Sequence, residues 1–170
     1  HDLFRGAHEN KITLGDANDL NILAKGEEAY VIDMDSSQFG PYLCRVFTQR
    51  FVDPLLCDPS KKKPLLFNPH NEMSDWYAYA VMVMQTLLCL ASGPYGGVYR
   101  PKDPSKNVGH DSRSMKRITV FDPEVIYPRP SRHFSILPDD LLQEFHCIFE
   151  KDQRKAFPKA LIEGVQWTTC

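Results

Sequence analysis

The sequence predicts a mainly helical α+β fold, with one long buried helix, shorter helices after it and a small β-hairpin before it. Three observations carry this. Apolar residues recur at helical spacing from Met73 to Ala91, and a second apolar helical face follows Pro138. Two short apolar runs, Ile22-Leu23 and Val31-Ile32, flank the turn-forming stretch Ala24-Lys25-Gly26-Glu27-Glu28. With 170 residues, 42% apolar and 25% charged, the chain suits a single domain able to bury a core.

Residues 1–13 read as the end of a helix, and residues 14–35 as a loop running into the hairpin. Both hairpin strands read as buried, and the turn between them would bring Asn21 and Asp33 to the same end. Residues 36–55 form the next segment. The clearest helix covers 74–91 within the stretch 73–91, with Ser74 as its cap and Gly93-Pro94 as its stop. Its apolar face is wide enough for burial on several sides. Residues 99–135 are a long insertion rich in Pro, Arg, Lys and Ser. The basic first half, with Arg100, Lys102, Lys106, Arg113, Lys116 and Arg117, reads as a solvated surface rather than a phosphate contact. Residues 118–121 and 125–127 should pack back onto the domain. Residues 138–164 hold the last helices, one entered at Pro138 with Asp139 and Asp140 at its positive end, and a short one over 157–163.

A net charge of −2 gives no reason to expect nucleic-acid binding. Five cysteines without C-x-x-C spacing fit a reducing compartment, so the expectation is a cytoplasmic protein. Cys89 and Cys147 fall on apolar helical stretches and read as core. No apolar run reaches the length of a membrane span, and the histidines have no ligand spacing.

The chemistry-bearing feature is the ordered set Asp16, Asn21 and Asp33. Taken singly, each suits a turn or cap, because short polar side chains bond nearby backbone groups. Taken in order, they match the needs of phosphoryl transfer, which are in-line positioning and charge neutralisation. Asp16 can orient an acceptor hydroxyl, while Asn21 and Asp33 supply hard oxygens for magnesium on nucleotide phosphates.

On these residues the chain resembles the C-terminal lobe of the protein kinase superfamily. Leu14 to Asn21 is similar to the catalytic loop, and Asp33-Met34-Asp35 stands in place of Asp-Phe-Gly. Asp53-Pro54-Leu55 stands where kinases end the activation segment with Ala-Pro-Glu. Ser74-Asp75-Trp76 resembles the start of the central helix, whose Asp supports the catalytic-loop backbone. Gly93-Pro94-Tyr95-Gly96 resembles the turn after that helix, and Arg154 the arginine before the last one. More narrowly, residues 32–39 resemble a divergent bacterial and phage kinase-like group often fused to helix-hairpin-helix or zinc-ribbon extensions. Trp167-Thr168-Thr169-Cys170 would suit the entrance to such a ribbon.

The resemblance implies Mg2+ and ATP as cofactors, a protein Ser/Thr acceptor or assembly partner, and Ser36, Ser37 and Thr48 as possible regulatory hydroxyls. The departures are Gly15 for the usual Arg, Asn18 for a phosphate-contacting Lys, Asp35 for Gly, and Leu55 for Glu. The last implies loss of the usual ion pair with Arg154. No glycine-rich loop or strand lysine precedes Asp16, so an N-terminal lobe is expected in cis on a longer polypeptide or in trans. The fragment alone should not phosphorylate anything. Two other readings stand beside the kinase one: a pseudokinase serving assembly, and a small-molecule kinase of the aminoglycoside or choline type.

Overall fold

The computed structural model describes residues 1–26 and 28–165, and within them the protein is a mixed α+β structure. The first helix, α1 (Asp2–Glu9), buries Phe4 and His8. Strand β1 (Ile12–Thr13) leads into the loop that precedes β2 (Ile22–Lys25) and β3 (Glu28–Val31). Strand β4 (Gln38–Phe39) returns to pair with β1. The central helix α2 (Glu72–Leu88) follows, then β5 (Val98–Tyr99), α3 (Arg113–Lys116), β6 (Val125–Ile126), α4 (Asp139–Phe149) and α5 (Ala160–Glu163). The sheets among the described residues are three two-stranded antiparallel ribbons, β1–β4, β2–β3 and β5–β6.

Helix α2 is the core. Val81, Met84 and Leu88 are wholly buried on it, against Leu141, Phe145 and Phe149 of α4. Tyr77 meets Phe149 edge-on at 5.6 Å between ring centroids. On the other side, Phe4 and His8 of α1 lie 5.7 and 5.6 Å from the Trp76 ring. Among the described residues no helix is long and apolar enough to cross a membrane.

Several local expectations need correction. The cap of α2 is Asn71, whose side chain accepts from the N–H groups of Met73 and Ser74; Ser74 sits inside the helix and completes the capping box. The helix stops at Leu88 because Cys89 turns left-handed (φ 54°). Cys89 is therefore exposed rather than core, and Cys147 is half-buried. Phe157 is buried but lies outside α5, which starts at Ala160. The hairpin strands are longer and less buried than expected. Ile22 and Val31 face the core, whereas Leu23 and Ile32 stay 49% and 43% exposed.

Arg113 also departs from a solvated surface reading: it is 1% exposed. Its Nη1 donates to the carbonyls of Gly96 (2.9 Å) and Gly97 (3.1 Å), and its Nε to that of Ile118 (3.1 Å). Burial pulls its pKa below the ordinary arginine value. The guanidinium thus pins the insertion onto the turn that follows α2. The Trp167–Cys170 feature lies outside the described residues.

Candidate functional site

The loop between β1 and β2 owes its shape to one buried carboxylate. Asp75, with no exposed surface, accepts from the N–H of Leu14 (2.7 Å) and of Gly15 (3.0 Å). His8 Nε2 donates to the same group at 2.8 Å. Three donors around a fully buried carboxylate fix its rotamer and hold the start of the loop against the first turn of α2.

Gly15 is there for its backbone. Its φ is +76°, and a Cβ built on it would lie 2.5 Å from the Ser36 carbonyl oxygen. Where the kinase resemblance implies a lost arginine, the fold requires the absence of any side chain. Gly15→Ala is expected to cost about 2 kcal/mol or more, since left-handed strain and a backbone clash coincide. Chemical denaturation checks this, and an unchanged midpoint would contradict it.

Beyond Gly15, the loop is braced from inside. Asn18, 3% exposed, donates to the Asp16 carbonyl (2.9 Å) and to Thr48 Oγ1 (3.3 Å). Its Oδ1 accepts from the N–H groups of Leu20 (2.9 Å) and Asn21 (3.2 Å). The residue read as a missing lysine is the organiser of the turn. Asn21 Nδ2 also donates to the Asp16 carbonyl at 3.2 Å, which leaves its Oδ1 without a partner among the described residues.

The hairpin then does its geometric work. Ile22 pairs with Val31, and the Ile32 N–H donates to the Asn21 carbonyl at 2.9 Å. Asp33 is the next residue, so it emerges at the Asn21 end in a left-handed conformation (φ 60°, ψ 50°). Asp16, Asn21 and Asp33 line one small concavity of about 10 Å3 together with Ser36 and Ser37, room for roughly one ion or water. A hydrogen bond with Asp35 and the charge of that residue, with Asp16 adding, hold the Asp33 carboxyl above the ordinary aspartate range. Crowded carboxylates of this kind favour a cation or a shared proton. Among the described residues, however, no cluster of three or more His, Cys, Asp or Glu side chains is arranged to hold a metal ion.

Both carboxylate oxygens of Asp16 meet Thr48. The Thr48 N–H donates to Oδ1 at 2.5 Å and its hydroxyl to Oδ2 at 3.1 Å. Each oxygen keeps a further lone pair. Arg50, two residues on, reaches Asp19 at 3.3 Å and the Ala91 carbonyl at 2.6 Å, while Gln85 of α2 donates to Asp19 at 2.6 Å. Loop, segment 36–55 and central helix are tied by this network, whose members lie too far apart along the chain to be recognised from any local pattern.

At the end of that segment Leu55 makes no ion pair, and a neighbouring carboxylate takes the arginine instead. Arg154 grips Asp53 through two bonds, Nε to Oδ2 at 2.7 Å and Nη2 to Oδ1 at 2.8 Å. The partner is Asp53, two residues before Leu55; Asp53 is buried at 3% exposure, and the Arg154 side chain is 9% exposed. Asp53 also caps the following turn by accepting from the Leu55 N–H. No protein-family model matches the chain, and no curated protein sequence matches it either.

Proposed function

We propose that this chain is the C-terminal lobe of a divergent protein-kinase-like phosphotransferase, which transfers the γ-phosphate of ATP to a protein Ser/Thr hydroxyl when complete. The observation that carries this reading is the convergence of Asp16, Asn21 and Asp33 on one concavity, on a loop whose backbone is held by Asp75. The donor set suits magnesium: a carboxylate and an amide oxygen, with phosphates and water left to fill the remaining positions. Asn21 and Asp33 are the residues that would hold it, and it would neutralise charge on the transferring phosphoryl group.

Asp16 orients the acceptor. Thr48 fixes the carboxylate from one side, and a free lone pair can take the acceptor proton as the hydroxyl oxygen bonds to the γ-phosphorus. The bond from that phosphorus to the β–γ bridging oxygen breaks, and ADP departs. Asn18 and Asp75 position the loop without touching substrate. Ser36, Ser37 and Thr48 sit beside this group, so a phosphate on any of them would meet the carboxylates of Asp16 and Asp33.

A second reading, a catalytically impaired interaction module, is favoured by Asp35, whose charge crowds Asp33 where a glycine would leave room. The test uses a polypeptide in which residues 1–170 are joined by a nucleotide-clamping lobe, in cis or in trans. Incubation with γ-labelled ATP and magnesium should label Ser or Thr of a protein acceptor, and chelating the magnesium should stop it. No transfer, together with stable partner binding, would favour the second reading. Preferential labelling of an aminoglycoside or choline would move the protein to the small-molecule kinases.

A further inference from the structure

We propose that the face built by residues 54–59, 65–69 and 115–117 is a docking groove for an extended acidic–apolar peptide segment of a partner protein. The groove begins with a short antiparallel ladder outside the six strands. Asp58 N–H donates to the Leu65 carbonyl and Phe67 N–H to that of Leu56, both at 2.9 Å, with Cys57 opposite Leu66. Between the two arms, Pro59 and Pro64 bracket Ser60-Lys61-Lys62-Lys63. The prolines stiffen the tip and hold three lysines beside the ladder.

Phe67 and Asn68 form a shared ridge between two concavities. The larger, about 430 Å3, has Leu55, Cys57 and Met115 in its walls, and its volume falls in the range of ligand pockets. The smaller, about 30 Å3, lies between Leu43, Arg45 and Leu66. Large apolar side chains around both are open to water: Phe67 is 73% exposed, Leu43 57%, Leu65 50% and Leu55 42%. Clustered apolar exposure of this kind marks a contact surface rather than scattered surface residues.

Charge identifies the occupant. Two arginines, Arg45 and Arg117, line the concavities, and no carboxylate does among the described residues. Arg117 is committed to Asp152, and Lys63 to Asp111. Arg45, Lys61 and Lys62 make no ion pair among the described residues, and Asp58, whose carboxylate feels the charge of Lys61, offsets one of these cations, so the net unmatched charge of the face stays positive. An apolar anchor flanked by Asp or Glu complements both features.

The backbone selects an extended chain. Leu66 belongs to a pair whose hydrogen bonds are made by its neighbours, so its own N–H and C=O face away from Cys57, and neither has a partner among the described residues. That free edge borders the smaller concavity, whose wall includes Leu66 itself. A strand added there would gain main-chain hydrogen bonds while alternate side chains enter the concavities. The inference does not depend on phosphoryl transfer.

Fluorescence anisotropy of the full chain against a fluorescein-labelled peptide, Glu-Leu-Glu-Phe-Glu-Leu-Glu, tests it. The expected result is saturable binding with Kd on the order of 10 μM, weakened about fivefold or more by Phe67→Ser and by Lys61→Glu with Lys62→Glu. Both sites are exposed, so an unchanged circular-dichroism melt should accompany the loss. Raising the salt should weaken binding further. The proposal is overturned by absent saturation, by equal binding of the peptide with Lys replacing Glu, or by unchanged affinity in the variants. Tighter, Phe67-dependent binding of phosphatidylserine vesicles or of single-stranded DNA would overturn it in favour of another ligand. A Phe67-dependent dimer in sedimentation would overturn it in favour of a second copy of this chain.

Discussion

Asp75→Ala is expected to destabilise the protein by about 3–5 kcal/mol, a large part of the stability of a domain this size. The corresponding fall in melting temperature is about 10 °C. The cause is specific: the substitution leaves the N–H groups of Leu14 and Gly15 and the His8 ring without their buried acceptor. Asp75→Asn should be milder, because an amide oxygen can still accept from the loop, although its NH2 replaces an acceptor and so part of the cost remains. Thermal unfolding gives the magnitude, and amide chemical shifts show whether residues 14–16 move first. A melt within about 2 °C of the parent would contradict this account of the loop.

Arg154→Met is expected to cost a similar amount, about 3–5 kcal/mol, because it strands the buried Asp53 carboxylate. Arg154 also donates to the Ile148 carbonyl at 2.6 Å and stands 4.6 Å from the centroid of the Tyr77 ring, so packing is lost with the charge. Combining it with Asp53→Asn removes the stranded charge and keeps an oxygen to cap the Leu55 N–H. The double variant should regain roughly 1–2 kcal/mol over Arg154→Met alone. Urea unfolding of the four proteins measures the coupling, and strict additivity would mean that the two side chains act independently.

These residues show where a sequence is legible and where it is not. Helical periodicity marked α2 and α4 because their apolar faces are local properties of the chain. The Asn21–Asp33 juxtaposition could be read from two apolar runs and a turn, since hairpin pairing is also local. The Asp53–Arg154 pair spans 101 residues, and only the fold decides that Asp53 rather than Leu55 faces the guanidinium. Gly15 and Asn18 looked like missing charges because residue identity alone does not reveal a positive φ or a buried amide. Leu23 and Ile32 read as buried because alternation within a strand does not say whether its second face is covered. Arg113 belonged to a basic stretch, and three backbone carbonyls brought together by distant turns take it inside.

The most direct test of the central claim is residue-resolved cation binding. Amide spectra of the chain should be recorded with ADP and substoichiometric Mn2+ as a paramagnetic stand-in for magnesium. The signals of Asn21, Asp33 and their neighbours are expected to broaden first, and Asp33→Asn is expected to remove this broadening. Broadening spread over exposed carboxylates such as Asp139 and Asp140, or unaltered in Asp33→Asn, would contradict it.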